Sequence, residues 1–281
     1  MRPARAIIDL AALRHNYRLA RAMHAGRALA VIKANAYGHG AVACARALAP
    51  EADGFAVAFL DEAQALREAG ITRPILLLEG VFDGRELAEV VRLGLWTVVH
   101  HAAQIDMIEA LPAGAALNVW LKVNSGMNRA GFLPADADAA WRRLQASGKV
   151  REITLMTHFA RADEPHVLTT LEQAAHFDAA TAHLPGARSL ANSAAILGWP
   201  QARRDWARPG ILLYGADPMP DADNGLQPVM TLESAVMAVR EIGPGEALGY
   251  GGRFVAERRT RVGLVAMGYA DGYPRTVPDG T

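Results

Sequence analysis

Cysteine is almost missing from this 281-residue chain. The single one, Cys44, excludes an internal disulfide and fits a reducing compartment. Net charge is missing as well: basic and acidic residues number 29 each, so no global field attracts nucleic acid or an anionic membrane. No apolar run reaches the ~18 residues of a membrane span. The opening M-R-P-A-R-A-I-I-D-L lacks the apolar region of a signal peptide and leads into a helical pattern. Metal spacing such as H-E-x-x-H does not occur. His100-His101 and the Asp136/Asp138 pair match nothing and read as surface features. What remains is an apolar fraction of 51% and a charged fraction of 21%, the composition of a soluble, cytoplasmic globular protein.

Short apolar runs alternate with helical patterns along most of the chain. Asp9 is suited to cap a helix ending near Gly26. Strands are expected at Ala28–Ile32, Phe55–Phe59, Ile75–Leu78, Trp96–Val99, Leu117–Val123, Ile153–Thr157, Arg188–Ala191 and Ile211–Tyr214. Helical patterns lie between them, as at Asp61–Gly70, Glu86–Gly94 and Ala135–Ala146. Such alternation indicates parallel βαβ units, and eight of them fit a (β/α)8 barrel better than an open sheet. A Pro-, Asp- and Gly-rich break at Asp217–Pro228 ends the pattern. Beyond it Val229–Ile242 and Thr260–Met267 read as strands joined by glycine turns, with no helix between. The expected organisation is a barrel over residues 1–225 and a partial β-rich domain over 226–281.

The stretch Ala28–Gly40, A-L-A-V-I-K-A-N-A-Y-G-H-G, organises the rest. A strand that reads as buried stops at the single cationic residue Lys33, and an amine at such an end is the group that carbonyl and Schiff-base chemistry uses. In a (β/α)8 barrel the active site lies at the carboxyl ends of the strands. Lys122, His158, Asn192, Ser193 and the segment opening at Arg208 also fall at such ends. A strand-terminal lysine reaching into water, a core histidine and a helix-capping Asn-Ser are the plainer readings of each taken singly.

Seven stretches, A-V-I-K-A-N-A-Y-G-H-G, K-V-N-S-G-M-N-R-A-G-F, T-H-F-A-R-A-D, A-N-S-A-A, R-P-G-I-L-L-Y-G, G-Y-G-G-R-F and G-Y-A-D-G-Y-P-R, resemble alanine racemase in order and spacing. The resemblance runs from Ile8 to Arg275. It implies a pyridoxal-phosphate (PLP) isomerase with an N-terminal (β/α)8 barrel and a C-terminal β domain, acting as a homodimer on L- and D-alanine. The family continues for several more strands, with a C-M-D-like motif and a late tyrosine that this sequence does not contain.

The resemblance also implies roles. Lys33 would carry PLP and serve as one base, and Tyr250 from the partner subunit would be the other, because racemisation moves a proton between opposite faces of Cα. Arg208 would donate to the pyridine nitrogen and His158 would pack on the ring. Tyr37, Ser193, Gly210 and Ile211 would hold the phosphate, with Asn192 beside them. Arg129 and Tyr269 would meet the substrate. Lys122 matches a lysine that is often carbamylated, and Asp163 and Arg275 match the substrate entrance. The cellular purpose would be D-alanine supply for peptidoglycan or alanine breakdown. A non-catalytic PLP-binding barrel and a broader racemase or decarboxylase are the alternatives; Tyr250 and Tyr269 argue against the first.

Overall fold

The computed structural model describes residues 2–219 and 222–277. The chain divides into two compact units, Asp9–Val229 and a second made of Met1–Ile8 with Met230–Thr281. The division arises because β1 (Arg5–Ile8) pairs antiparallel with β10 (Met230–Glu233). Four residues with a partner more than two hundred positions away carry no local signal, and the N-terminus therefore read as leading straight into a helix.

That helix, α1 (Leu10–His24), begins where Asp9 accepts hydrogen bonds from the N–H groups of Ala11 and Ala12. It satisfies two of the N–H groups that every helix start leaves unpaired. Eight parallel strands follow: β2 (Arg27–Val31), β3 (Gly54–Val57), β4 (Ile75–Leu77), β5 (Trp96–Val99), β6 (Leu117–Lys122), β7 (Val150–Met156), β8 (Arg188–Ser189) and β9 (Trp206–Ala207). Each pairs with its predecessor from β2 to β8, and β9 pairs with β2. The β8–β9 seam is joined by the Arg208 N–H to the Ala191 carbonyl at 3.0 Å and by the Ser189 hydroxyl to the Trp206 carbonyl at 2.9 Å. The sheet thus forms a (β/α)8 barrel.

The eighth strand corrects the sequence reading. Ile211–Tyr214 forms a 3-10 turn, and the strand is the two-residue Trp206–Ala207 just before it. An apolar run of four such as I-L-L-Y does not distinguish a strand from a buried helical turn.

The strands point one face inward, and Leu29, Ala56, Leu76, Val98, Trp120, Met156 and Trp206 meet in the barrel interior. Such layers of inward side chains fill a barrel of this size. Trp120 stacks on Trp96 with centroids 6.2 Å apart, and Trp206 meets Trp96 edge-on at 5.6 Å. The interior is therefore packed, and chemistry is left to the loops at the carboxyl ends.

In the second unit the expected strand Val229–Ile242 is two, β10 and β11 (Val236–Ile242). β11 pairs antiparallel with β14 (Thr260–Val265), while β12 (Ala247–Leu248) pairs with β13 (Phe254–Val255). Leu232, Met237 and Leu264 of this unit are exposed. Among the described residues no helix is long and apolar enough to cross a membrane.

Candidate active site

The carboxyl ends of the barrel strands surround a cavity of about 290 Å³ that receives nine of the sequence-identified residues: Lys33, Tyr37, Lys122, Arg129, His158, Asn192, Ser193, Arg208 and Gly210. Ile211 and Asp163 line it too. The size suits a small cofactor with a small substrate.

Lys33 follows β2, and the chain then turns in an uncommon way. Ala34, Asn35, Ala36 and Tyr37 all have φ between 51° and 55°. Left-handed backbone costs an L-residue about 1–2 kcal/mol. The turn brings the Tyr37 ring into stacking contact with Tyr214, centroids 4.8 Å apart. A Cβ at Gly210 would sit 2.9 Å from the Tyr37 hydroxyl, so only glycine lets that hydroxyl approach the backbone.

Beside it the Ser193 hydroxyl accepts the N–H groups of Gly210 at 2.9 Å and Leu212 at 3.4 Å. Hydroxyls of Tyr37 and Ser193 thus gather beside backbone N–H groups at the start of a helical turn, groups of the kind that can hold an anion. Asn192 caps the following helix through the N–H of Ala195, at 3.0 Å. Its side chain is thereby a structural cap as well as a cavity wall.

Arg208 is buried. Its guanidinium donates to the carbonyls of Ser189 at 2.9 Å, Thr157 at 2.6 Å and Leu190 at 3.2 Å, and to the Ser189 hydroxyl. Burial lowers its pKa to about 10, which still leaves it cationic at neutral pH. His158 Nδ1 lies 3.4 Å from the guanidinium. Burial, with Arg208 and then Arg129 adding to it, pushes that imidazole down to about 3, so it is neutral. Burial is also the main reason that Lys122 falls to about 8; Arg129 lowers it further and Glu79 opposes. A buried amine lowered in this way gives up its proton more readily than a free lysine.

Sequence reasoning missed several of these groups. Glu79, after β4, brings a carboxylate into the cavity, and the L-L-L-E-G run that places it read only as a strand end. The buried Ser125–Thr157 hydroxyl pair, 2.8 Å apart, underlies the Thr157 carbonyl that holds Arg208. Ser189 carried no signal, since an apolar strand tolerates one serine. Tyr250, Tyr269 and Arg275 belong to the other unit. Tyr250 lies in a short turn, 83% exposed. Tyr269 is exposed in another, whose N-terminal end is closed by Asp271 accepting the Gly268 N–H at 3.0 Å.

Chemically, the cavity brings together the amines of Lys33 and Lys122, an uncharged imidazole, a buried cation, and hydroxyl and N–H groups suited to an anion. A planar heterocycle bearing a phosphate would match that set. Comparison with known proteins follows the same line. Residues 8–218 match the family model "Alanine racemase, N-terminal domain" and residues 229–281 match "Alanine racemase, C-terminal domain". An alanine racemase of Azoarcus sp. (strain BH72) is 73% identical over the whole chain, which spans 80% of that protein. The crystal structure of a biosynthetic alanine racemase from Pseudomonas aeruginosa superposes with a TM-score of 0.96 at 48% identity, covering 100% of this chain and 80% of that one. The Bartonella henselae enzyme, described with covalently bound pyridoxal phosphate, matches with a TM-score of 0.89 at 29% identity over 98% of this chain and 78% of its own.

Proposed function

This chain belongs to the alanine racemase family of isomerases, and we propose that it interconverts L- and D-alanine with PLP at the barrel mouth and Lys33 and Tyr250 as opposed bases. The observation carrying this reading is the convergence of Lys33, a buried Arg208 and the Tyr37–Ser193–Gly210 group on one cavity. These residues fit the cofactor by chemistry: hydroxyl and N–H donors without side-chain charge would take a phosphate, and the buried cation would serve the ring nitrogen. When bound, PLP supplies the electron sink that makes the substrate Cα–H acidic.

The protein's own groups do the rest. Lys33 would hold the cofactor through its amine. Its amine would also take or return the substrate Cα proton on one face. The partner subunit's Tyr250 acts on the other face, so the chain works as a homodimer. Arg208 keeps its protons near neutral pH and would hold the pyridine nitrogen through a hydrogen bond that it donates. His158, neutral, would hold the ring without adding charge. Arg129 pairs with the substrate carboxylate. Lys122, as its carbamate, is the anion that holds Arg129 in place. Tyr269, Asp163 and Arg275 line the substrate approach, and Asn192 and Ile211 complete the cofactor wall. The activity serves D-alanine supply for peptidoglycan or alanine breakdown, in a cytoplasmic setting.

The test is D-alanine formation from L-alanine at saturating PLP, beside Lys33→Ala. Lysine-dependent turnover, with borohydride-fixed cofactor lost in Lys33→Ala, is expected. A fixed adduct surviving in Lys33→Ala would overturn the assignment.

A further inference from the structure

Glu62 is the third residue of the helix Leu60–Glu68 that follows β3. Its Oε2 accepts the N–H groups of Ala58 at 2.6 Å and Phe59 at 3.2 Å, the usual work of a carboxylate at this helix position. Its Oε1 does something that capping does not require. It accepts the N–H of Ala34 at 2.5 Å, and Ala34 is the residue directly after Lys33.

The left-handed turn starting at Ala34 needs outside support, because four consecutive non-glycine residues at positive φ are unfavourable. Part of that support is internal. Ala36 N–H donates to the Ile32 carbonyl at 2.9 Å, Gly38 N–H to the Ala34 carbonyl at 3.0 Å and Gly40 N–H to the Asn35 carbonyl at 2.9 Å. Asn35 Oδ1 accepts the Ala41 N–H at 2.8 Å and ties the turn to the next helix. The Ala34 N–H, at the end nearest Lys33, finds its acceptor in Glu62.

We propose that Glu62 is a positioning residue for the reaction. Its two oxygens join the end of β3 to the strained turn and so fix Lys33 at one end of that turn and Tyr37 at the other. The inference rests on the reading of Lys33 as the attachment residue and base. Glutamine cannot replace it, since one carbonyl oxygen cannot serve both sets of N–H donors while the amide presents hydrogens to one of them. A built-in control exists at Glu86, which holds the same position in the helix Gly84–Arg92. It accepts the Phe82 N–H at 2.8 Å and lies outside the lining of the barrel-mouth cavity.

The experiment compares native protein, Glu62→Gln, Glu62→Ala and Glu86→Ala, each saturated with PLP. For each, kcat and KM for L-alanine, the urea midpoint and hydrogen exchange of a peptide covering residues 33–40 are measured. Both Glu62 variants should lose kcat by about tenfold to a hundredfold, the usual effect of a misplaced reacting group. KM should stay within about threefold, and exchange at 33–40 should quicken. Glu86→Ala should show a comparable shift in midpoint with native kcat and native exchange at 33–40. Equal kcat in Glu62→Ala and Glu86→Ala, or unchanged exchange at 33–40, would overturn the proposal. Mapping the borohydride-fixed peptide of the native protein separates the two readings. An adduct away from Lys33 removes the premise, whereas an adduct on Lys33 with native kcat in Glu62→Ala removes only the role of Glu62.

Discussion

Replacing Ser189 by alanine tests how the barrel holds its buried cation. The Ser189 hydroxyl donates to the Trp206 carbonyl at 2.9 Å and accepts from Arg208, bridging β8, β9 and the guanidinium at once. Ser189 is fully buried at 0% exposure and Arg208 nearly so at 4%. Alanine leaves a buried carbonyl and a guanidinium proton each short of a partner, a desolvation cost of about 1–3 kcal/mol. The full penalty of an unpaired buried charge, about 3–5 kcal/mol, is not reached, because three backbone carbonyls still receive Arg208. The expected loss is therefore about 2 kcal/mol, between those bounds. Urea unfolding followed by tryptophan fluorescence measures it directly, since all five tryptophans lie in the Asp9–Val229 unit. A loss below about 0.5 kcal/mol, the ordinary range of surface substitutions, would refute the idea that this hydroxyl anchors Arg208 and the seam. Weaker PLP retention should accompany the loss, because Arg208 also faces the cavity.

Two further outcomes are expected. Tyr250→Phe should slow proton removal from L-alanine far more than from D-alanine, as measured by initial rates in each direction; equal slowing would contradict a base acting on one face. His24 is buried, and burial holds its imidazole below the ordinary value, opposed in part by the Arg204 backbone. A lowered folded-state pKa means that the unfolded chain binds the proton more readily, so stability is lost as pH falls through about 6.5. His24→Leu should flatten that loss between pH 7.5 and 5, read as the difference in urea midpoints from native protein. His158 is held low in the same direction but is common to both proteins and cancels. Parallel midpoint curves would show that His24 does not titrate on unfolding.

The local signals in the sequence were strong where a strand is buried on both faces. Ala28–Ile32, Trp96–Val99 and Leu117–Val123 agree with β2, β5 and β6 to within a residue, because apolar runs bounded by glycine and charge are readable over a few positions. The reactive residue types at strand ends were equally plain, since a lysine or arginine closing such a run is conspicuous. What the chain order could not express is any partnership closed over distance. β1 is four residues whose meaning lies in pairing with β10, and the eighth strand is two residues defined by its neighbour β2. Four left-handed residues after Lys33 contain no glycine to announce them. Glu62 reads as an ordinary helix cap until the turn is seen against it, and Glu79 and Ser189 gain roles only from the cavity and the cation they meet. Residue identity and local periodicity thus determined which elements and which reactive groups exist. The tertiary structure alone decided their environment, because desolvation and hydrogen-bond satisfaction depend on atoms brought together from distant parts of the chain.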